Sequence, residues 1–285
     1  MSSSIAYALE ALVFYGLADF VYKRAAAAGA EPHRFLMVQS WIFNTLALAY
    51  GFVSGTLAFS RGTLWGAVAG VFVAIGYYNF AWSLRHGAVS INAAIFRLSF
   101  AVTTILAVIL LGESLNTAKV AGLILAVLAV WLLVTAPALA SGPTAHERKA
   151  SLVRVVFATI IVGAASFAYK LGVRAGAAPI AVVVAQGLVA LVLFTTFSVF
   201  TDRGVRLSRP ALVHAPVSAV LLLVAFTSLA KALQGGEASV IVPIAQMGFV
   251  VTAILGFVFQ REPLTLRRAA GLAIALLALT SLAWS

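Results

Sequence analysis

A single arginine, Arg97, lies deep within an apolar stretch of this 285-residue sequence. Eleven uncharged residues precede it and fifteen follow it, so its guanidinium cannot easily reach either end of the stretch. A planar guanidinium binds a carboxylate through two parallel hydrogen bonds. We therefore predict that Arg97 either binds the carboxylate of a ligand or pairs with Glu10 or Asp19, the two acidic residues of the first apolar stretch.

A second candidate site combines two aromatic rings with an amide. Tyr78, Asn79 and Trp82 fall at helical spacing and so share one face of a predicted helix. Such a face suits a ligand with an apolar or aromatic body and a polar end. The alternative is that the tyrosine and the tryptophan anchor the helix at a membrane interface.

The carboxylates of Glu10 and Asp19 have a further possible role. An acidic group inside a membrane that changes its protonation state can couple the movement of a proton to that of another molecule. The alternatives are that Glu10 reaches the interface and that Asp19 pairs with Lys23, four residues further along the helix.

These residues belong to a chain built for a lipid bilayer. It is 63% hydrophobic and only 9% charged, and its mean hydropathy is +1.08, which excludes a water-soluble domain. Seven uncharged stretches of 17 to 27 residues each fit one helix, and three more do so with an internal charge. We expect an all-α polytopic membrane protein with ten transmembrane helices.

The basic residues give the predicted orientation. The net charge is +11, but the lysines and arginines flank the apolar stretches, so we expect no nucleic-acid partner. Of the 19 basic residues, 13 fall in the odd-numbered connections between predicted helices. The positive-inside rule then places these connections in the cytoplasm and both termini outside, with the chain in the cell's inner (plasma) membrane.

The chain also repeats itself. A shift of 147 residues aligns Tyr22-Lys23 with Tyr169-Lys170 and Gln39 with Gln186, and a shift of 149 aligns Glu113-x-Leu115 with Glu262-x-Leu264. We predict two five-helix units, residues 1–136 and 152–285, joined by a linker at 137–151. Because five is odd, the second unit enters the membrane inverted, and two inverted units around a central cavity suit alternating access.

The repeat adds members to the candidate site. The counterparts of Tyr78 and Asn79 are Thr227 and Ser228, and the counterpart of Arg97 is Gln246, three residues after Pro243. All three are polar at membrane depth, where polar groups are costly unless they face a cavity.

Two motifs resemble a known family. Gly112-Glu113-Ser114-Leu115 followed by Val120-Ala121-Gly122-Leu123, and Arg261-Glu262-Pro263-Leu264 followed by Ala270-Gly271-Leu272, are similar to the paired EamA repeats of the drug/metabolite transporter superfamily. The resemblance implies ten helices around a cavity lined by the first, third, fourth, sixth, eighth and ninth. It extends to the YddG-type exporters of aromatic and neutral amino acids. A broader drug or nucleotide-sugar carrier is the alternative function. We interpret the glutamates of the two motifs, Glu113 and Glu262, as caps at helix ends.

Other classes of function find less support. The sequence has no cysteine and none of the zinc-peptidase, nucleophile-elbow or P-loop motifs. An intramembrane enzyme is therefore disfavoured, and we expect no catalytic residue, no cofactor and no metal. A channel remains an alternative. The expected partners are a small-molecule substrate, with amino acids favoured, and the lipid bilayer.

Overall fold

The computed structural model describes residues 2–86, 92, 95–133, 145–260 and 265–285, and all its regular elements are helices. The helices are α1 (Ser3–Ala27), α2 (Pro32–Val53), α3 (Leu64–His86), α4 (Ser99–Leu111), α5 (Thr117–Leu133), α6 (Ala145–Arg174), α7 (Pro179–Asp202), α8 (Arg209–Gly235), α9 (Ala238–Gln246), α10 (Phe249–Gln260) and α11 (Leu266–Ala283), with a 3₁₀ turn at Arg61–Thr63 before α3.

Eight helical segments of the described chain are long and apolar enough to span a membrane. The α9 and α10 helices form one of these segments, Ala238–Phe259, which is interrupted at Met247 and Gly248. Two further apolar helices, Ile95–Leu111 and Thr117–Leu133, are shorter and lie at the lower limit of the length that crosses a bilayer. The protein is therefore a multi-pass membrane protein, and ten spans remain a prediction.

Corresponding turns in the two halves have the same local chemistry. The α2 and α7 helices both begin at a proline, Pro32 and Pro179, whose fixed φ suits the first turn of a helix. In the turns before them, Gly29 and Gly176 both adopt φ of 81°. Only glycine adopts this left-handed conformation without steric cost, so the repeat extends to backbone geometry.

The α6 helix begins earlier than expected. It starts at Ala145, so residues 145–151 of the predicted linker are helical, whereas residues 137–144 lie outside the described part of the chain. Its first turn contains Glu147, whose carboxylate favours a helix N-terminus, and the basic residues that follow are good helix formers. The polar composition that indicated a linker thus forms the first turns of a long helix.

Helices of one half pack mainly against helices of the other, and they do so reciprocally. The α3 helix packs on α6 and α7, and the corresponding α8 packs on α1 and α2. The α4 helix packs on α6 as the corresponding α10 packs on α1, while α5 and α11 pack on each other. Each major contact therefore recurs with the two halves exchanged.

The reciprocal packing includes two equivalent glycines, Gly16 and Gly163, at which helices of the two halves approach closely. A Cβ on Gly16 would lie 2.3 Å from the carbonyl oxygen of Gly248, and one on Gly163 would lie 2.6 Å from that of Ser99. At the same crossings, the hydroxyls of Thr252 and Thr103 donate to the carbonyls of Gly16 and Gly163, at 2.9 and 2.8 Å. Small residues and interhelical hydrogen bonds allow close helix packing in membranes.

We expect Thr103→Val to lower the free energy of unfolding by about 1 kcal/mol, because one buried hydrogen bond is lost. Thr104 provides a matched control on the same helix. Its hydroxyl is buried and has no hydrogen-bond partner among the described residues, so Thr104→Val should leave stability unchanged or raise it. Thermal unfolding in detergent measures both variants. Equal losses of stability would contradict the assigned role of the Thr103 hydroxyl.

Candidate functional site

A cavity of about 560 Å³ lies where the two halves meet. The α1, α3, α6 and α8 helices supply most of its wall, and α2, α7, α9 and α10 complete it. Its polar lining residues are Tyr15, Asp19, Tyr22, Lys23, Tyr77, Arg97, Ser166, Tyr169, Gln186, Gln246 and Thr252.

Aromatic rings cover much of the remaining wall. Phe226 of α8 contacts Tyr15 edge-on, with ring centroids 5.4 Å apart, and it also lies beside Tyr169 at 6.1 Å. Tyr77 of α3 packs edge-on against Phe96, with centroids 5.7 Å apart. A cavity with aromatic walls and a few polar groups suits a ligand whose body is apolar and whose end is polar.

The charged centre of the cavity is an ion pair. The guanidinium of Arg97, two residues before α4, donates a hydrogen bond to the carboxylate of Asp19 on α1. Both side chains line the cavity and keep partial exposure, 21% for the arginine and 28% for the aspartate. Of the two carboxylates considered for Arg97, the one that it contacts is that of Asp19.

Each half contributes an equivalent tyrosine–glutamine pair, but only the pair of the first half is joined by a hydrogen bond. In the first half, the Tyr22 hydroxyl donates to the side-chain oxygen of Gln39. In the second half, the Tyr169 hydroxyl and the Gln186 side-chain oxygen are buried without a hydrogen-bond partner in the described chain. Both of the latter side chains line the cavity. Their identity across the repeat was the signal that could have placed them in the candidate site.

The predicted aromatic face of α3 lies elsewhere. Tyr78 and Trp82 line an adjoining groove of about 430 Å³ between α2, α3 and α7. The ring of Tyr78 packs edge-on against Phe197 of α7, and the guanidinium of Arg154 lies 4.1 Å from the ring centroid of Trp82. The Asn79 amide donates to the Ile75 carbonyl one turn earlier. Tyr77, one position away, faces the cavity instead.

The remaining candidates divide between cavity and helix packing. Gln246 lines the cavity at the end of α9. The Ser228 hydroxyl of α8 donates to the carboxylate of Glu10 on α1, at 2.9 Å. Thr227 is buried, and its hydroxyl has no partner among the described residues. The structure thus brings Asp19, Arg97 and Gln246 to one cavity and places Glu10 and Ser228 together at the contact between α1 and α8.

Three polar contacts join the helices at one end of the bundle. The Lys170 ammonium donates to the carbonyls of Leu233 and Gly236 at the end of α8. The Glu113 carboxylate accepts from the first two backbone amides of α9, those of Ala238 and Ser239, at 2.8 Å each. Lys119 forms an ion pair with Glu237. Glu113 therefore caps a helix, whereas Glu262 lies outside the described residues.

The opposite end contains the one group of described residues that resembles a metal site. Glu31, His33 and Asp202 place their ligand atoms within 4.8 Å of one another. However, both carboxylate oxygens of Asp202 accept hydrogen bonds from the Arg34 guanidinium, at 2.7 and 3.0 Å. The same guanidinium also forms an ion pair with Glu31. A cation would have to displace this arginine, so the residues fit a metal poorly.

A helical membrane bundle with a partly polar central cavity has the architecture of a membrane carrier. The EamA-like transporter family matches residues 2–135 and again 150–284, and the chain belongs to this family. A solved crystal structure shares its fold with a TM-score of 0.82 and 17% identity, over 99% of this chain and 96% of the other. No curated protein shows significant sequence similarity to the chain.

Proposed function

We propose that this EamA-family transporter is a secondary carrier that exports neutral and aromatic amino acids by alternating access, as YddG-type exporters do. The observation that carries the proposal is the central cavity, which lies between two reciprocally packed halves and combines aromatic walls with an ion pair. A ligand there contacts both halves, so its binding can be coupled to their relative movement.

The proposed mechanism uses ten spans, counting the two 17-residue helices, as two inverted units at residues 1–136 and 152–285. The reciprocal contacts support the inverted relation, because exchanging the halves reproduces the same packing. Two packings related in this way have similar energies, so the cavity can open to either side.

We interpret the structure as one of these two proposed states. The cavity reaches Ala30, in the connection between α1 and α2, and Pro32, the first residue of α2. At the other end, Lys170 joins α6 to the end of α8, while Glu113 and Lys119 join the α4–α5 connection and α5 to the start of α9. We assign this state as open toward the α1–α2 connection, which the distribution of basic residues places in the cytoplasm of the inner membrane, with both termini outside.

The cavity favours small amphipathic substrates over nucleotide sugars. Its charged lining residues are one carboxylate and two cations, Asp19, Arg97 and Lys23, and Arg97 is already paired with Asp19. A diphosphate ligand needs an excess of positive donors that this lining does not supply. Apolar drugs fit the aromatic walls equally well, so a drug carrier remains the second candidate, and a substrate screen by thermal stabilisation separates the two.

The carrier function is tested by counterflow in proteoliposomes. We expect liposomes preloaded with unlabelled tryptophan or threonine to accumulate the labelled amino acid transiently and at a saturable rate. A channel would show neither saturation nor counterflow, and an enzyme would consume the substrate. Absence of counterflow for every neutral amino acid, together with stabilisation by apolar drugs, would replace the amino-acid proposal with the drug carrier.

A further inference from the structure

The Asp19–Arg97 pair is poorly explained as a joint between helices alone. Transferring two charges out of water costs several kcal/mol for each ion, and good geometry with further hydrogen bonds is needed to offset that cost. Here the pair lines a cavity and both side chains keep partial exposure. A carboxylate has about four acceptor positions and a guanidinium has five donors, so the single hydrogen bond between them leaves most of this capacity available.

One class of ligand can replace this pair without leaving a charge unpaired. A zwitterion carries its own carboxylate for Arg97 and its own ammonium for Asp19, so four charges form two pairs where there was one. A ligand with a single charge pairs with one residue and separates it from the other. The residue left behind is then an uncompensated charge in a cavity of low dielectric, which is strongly unfavourable.

A second observation points to a polar ligand in the same cavity. The Tyr169 hydroxyl and the Gln186 side-chain oxygen are unpartnered within the described chain, and the two residues are only 2% and 3% exposed. Their counterparts Tyr22 and Gln39 satisfy each other. Buried polar groups in proteins are almost always hydrogen-bonded, and both of these residues line the cavity, so a ligand there can supply the missing partners.

Building on the proposed carrier function, we propose that Asp19 and Arg97 form a zwitterion-binding site with α-amino acids as its ligand class. Asp19 accepts from the ligand ammonium and Arg97 donates to the ligand carboxylate. The Tyr169 hydroxyl donates a further hydrogen bond to the carboxylate, and Gln186 accepts one from the ammonium. The aromatic wall around Phe226 then receives the side chain.

Three probes with one ring system test this assignment. Tryptophan carries both charges, tryptamine only the ammonium, and indole-3-propionate only the carboxylate. We expect tryptophan to stabilise the wild-type protein at roughly 10- to 100-fold lower concentration than either analogue, from the worth of a hydrogen bond to a charged group. Equal potency of the three probes, or no stabilisation by any of them, would overturn the zwitterion site.

Two single variants should change the preference in opposite directions. Asp19→Asn removes the ammonium partner, so the preference should move toward indole-3-propionate by about tenfold or more. Arg97→Gln should move it toward tryptamine by a similar factor. Lys23→Gln is the matched control for net charge, because it removes one positive charge from the same lining but not from the pair. An equal change in Lys23→Gln and Arg97→Gln would show that only overall charge matters.

The double variant Asp19→Asn/Arg97→Gln keeps the test decisive if the single variants do not fold. It buries no unpaired charge, and we expect it to bind the three probes with similar potency. A retained preference for tryptophan would show that the pair serves helix packing only. Counterflow decides the carrier function separately, since saturable exchange of another substrate would persist in a protein that distinguishes none of the three probes.

Discussion

Leucine at position 16 should be among the most damaging single substitutions in this protein. A Cβ there lies 2.3 Å from the Gly248 carbonyl oxygen and 2.5 Å from the Cβ of Val251, so α1 and the α9–α10 segment must separate. Overpacking in a rigid core costs about 1–3 kcal/mol, and a clash with backbone atoms falls at or above the top of that range. We expect the Tm in detergent to fall by roughly 6–12 °C.

Position 163 offers the matched comparison across the repeat. Its Cβ would lie 2.6 Å from the Ser99 carbonyl oxygen and 2.6 Å from the Cβ of Val102, so Gly163→Leu should be nearly as damaging. Ala6→Leu serves as the control on α1, since Ala6 is exposed on the outside of the bundle. If Gly16→Leu unfolds at the same temperature as the control, the close approach of α1 to Gly248 is wrong.

Replacing Lys170 by methionine should open the end of the bundle where its ammonium joins α6 to the end of α8. Two hydrogen bonds from the ammonium, to the carbonyls of Leu233 and Gly236, are lost. Hydrogen bonds to charged groups contribute about 1.5–3 kcal/mol each. If these bonds exist only in the observed state, their loss shifts the population toward the opposite state by at least about tenfold.

A single cysteine can report this shift, because the sequence contains no cysteine of its own. Ser166 lines the cavity, so Ser166→Cys can be labelled with a membrane-impermeant maleimide from either side of the membrane. We expect Lys170→Met to raise the labelling rate from the side of the α6–α7 connection by about tenfold. Lys149→Met, on the exposed first part of α6, is the control. A lower Tm with unchanged labelling would make Lys170 a structural cap and not part of a gate.

The charged residues show how far sequence reasoning reaches in this site. Arg97 was identifiable because a charge far from both ends of an apolar stretch has few stable environments in a membrane. The sequence left Glu10 and Asp19 equally available as partners, and only the packing of the helices brought Asp19 to Arg97, 78 residues along the chain. Which of two carboxylates on one helix meets a distant arginine depends on the rotation of that helix, which composition does not encode.

The aromatic residues of α3 show where sequence reasoning reaches its limit. Tyr77 and Tyr78 are adjacent, yet the first lines the central cavity and the second lines a groove beside α7. In a soluble helix, the contrast between polar and apolar positions indicates which face is buried. Here lipid covers one side and an aromatic cavity the other, so both faces are apolar and the contrast is absent.

By itself, the sequence determined the all-helical membrane architecture, the internal repeat and the family. Long apolar stretches indicate the membrane helices, and identities at constant spacing indicate the repeat and the family. Only the tertiary structure decided which side chains meet. It paired Asp19 with Arg97, left the Tyr169 hydroxyl and the Gln186 side-chain oxygen without a partner among the described residues, and joined α6 to the end of α8 through Lys170. Those contacts depend on helix rotation and close approach between the halves, which are properties of the packed bundle rather than of any one stretch of chain.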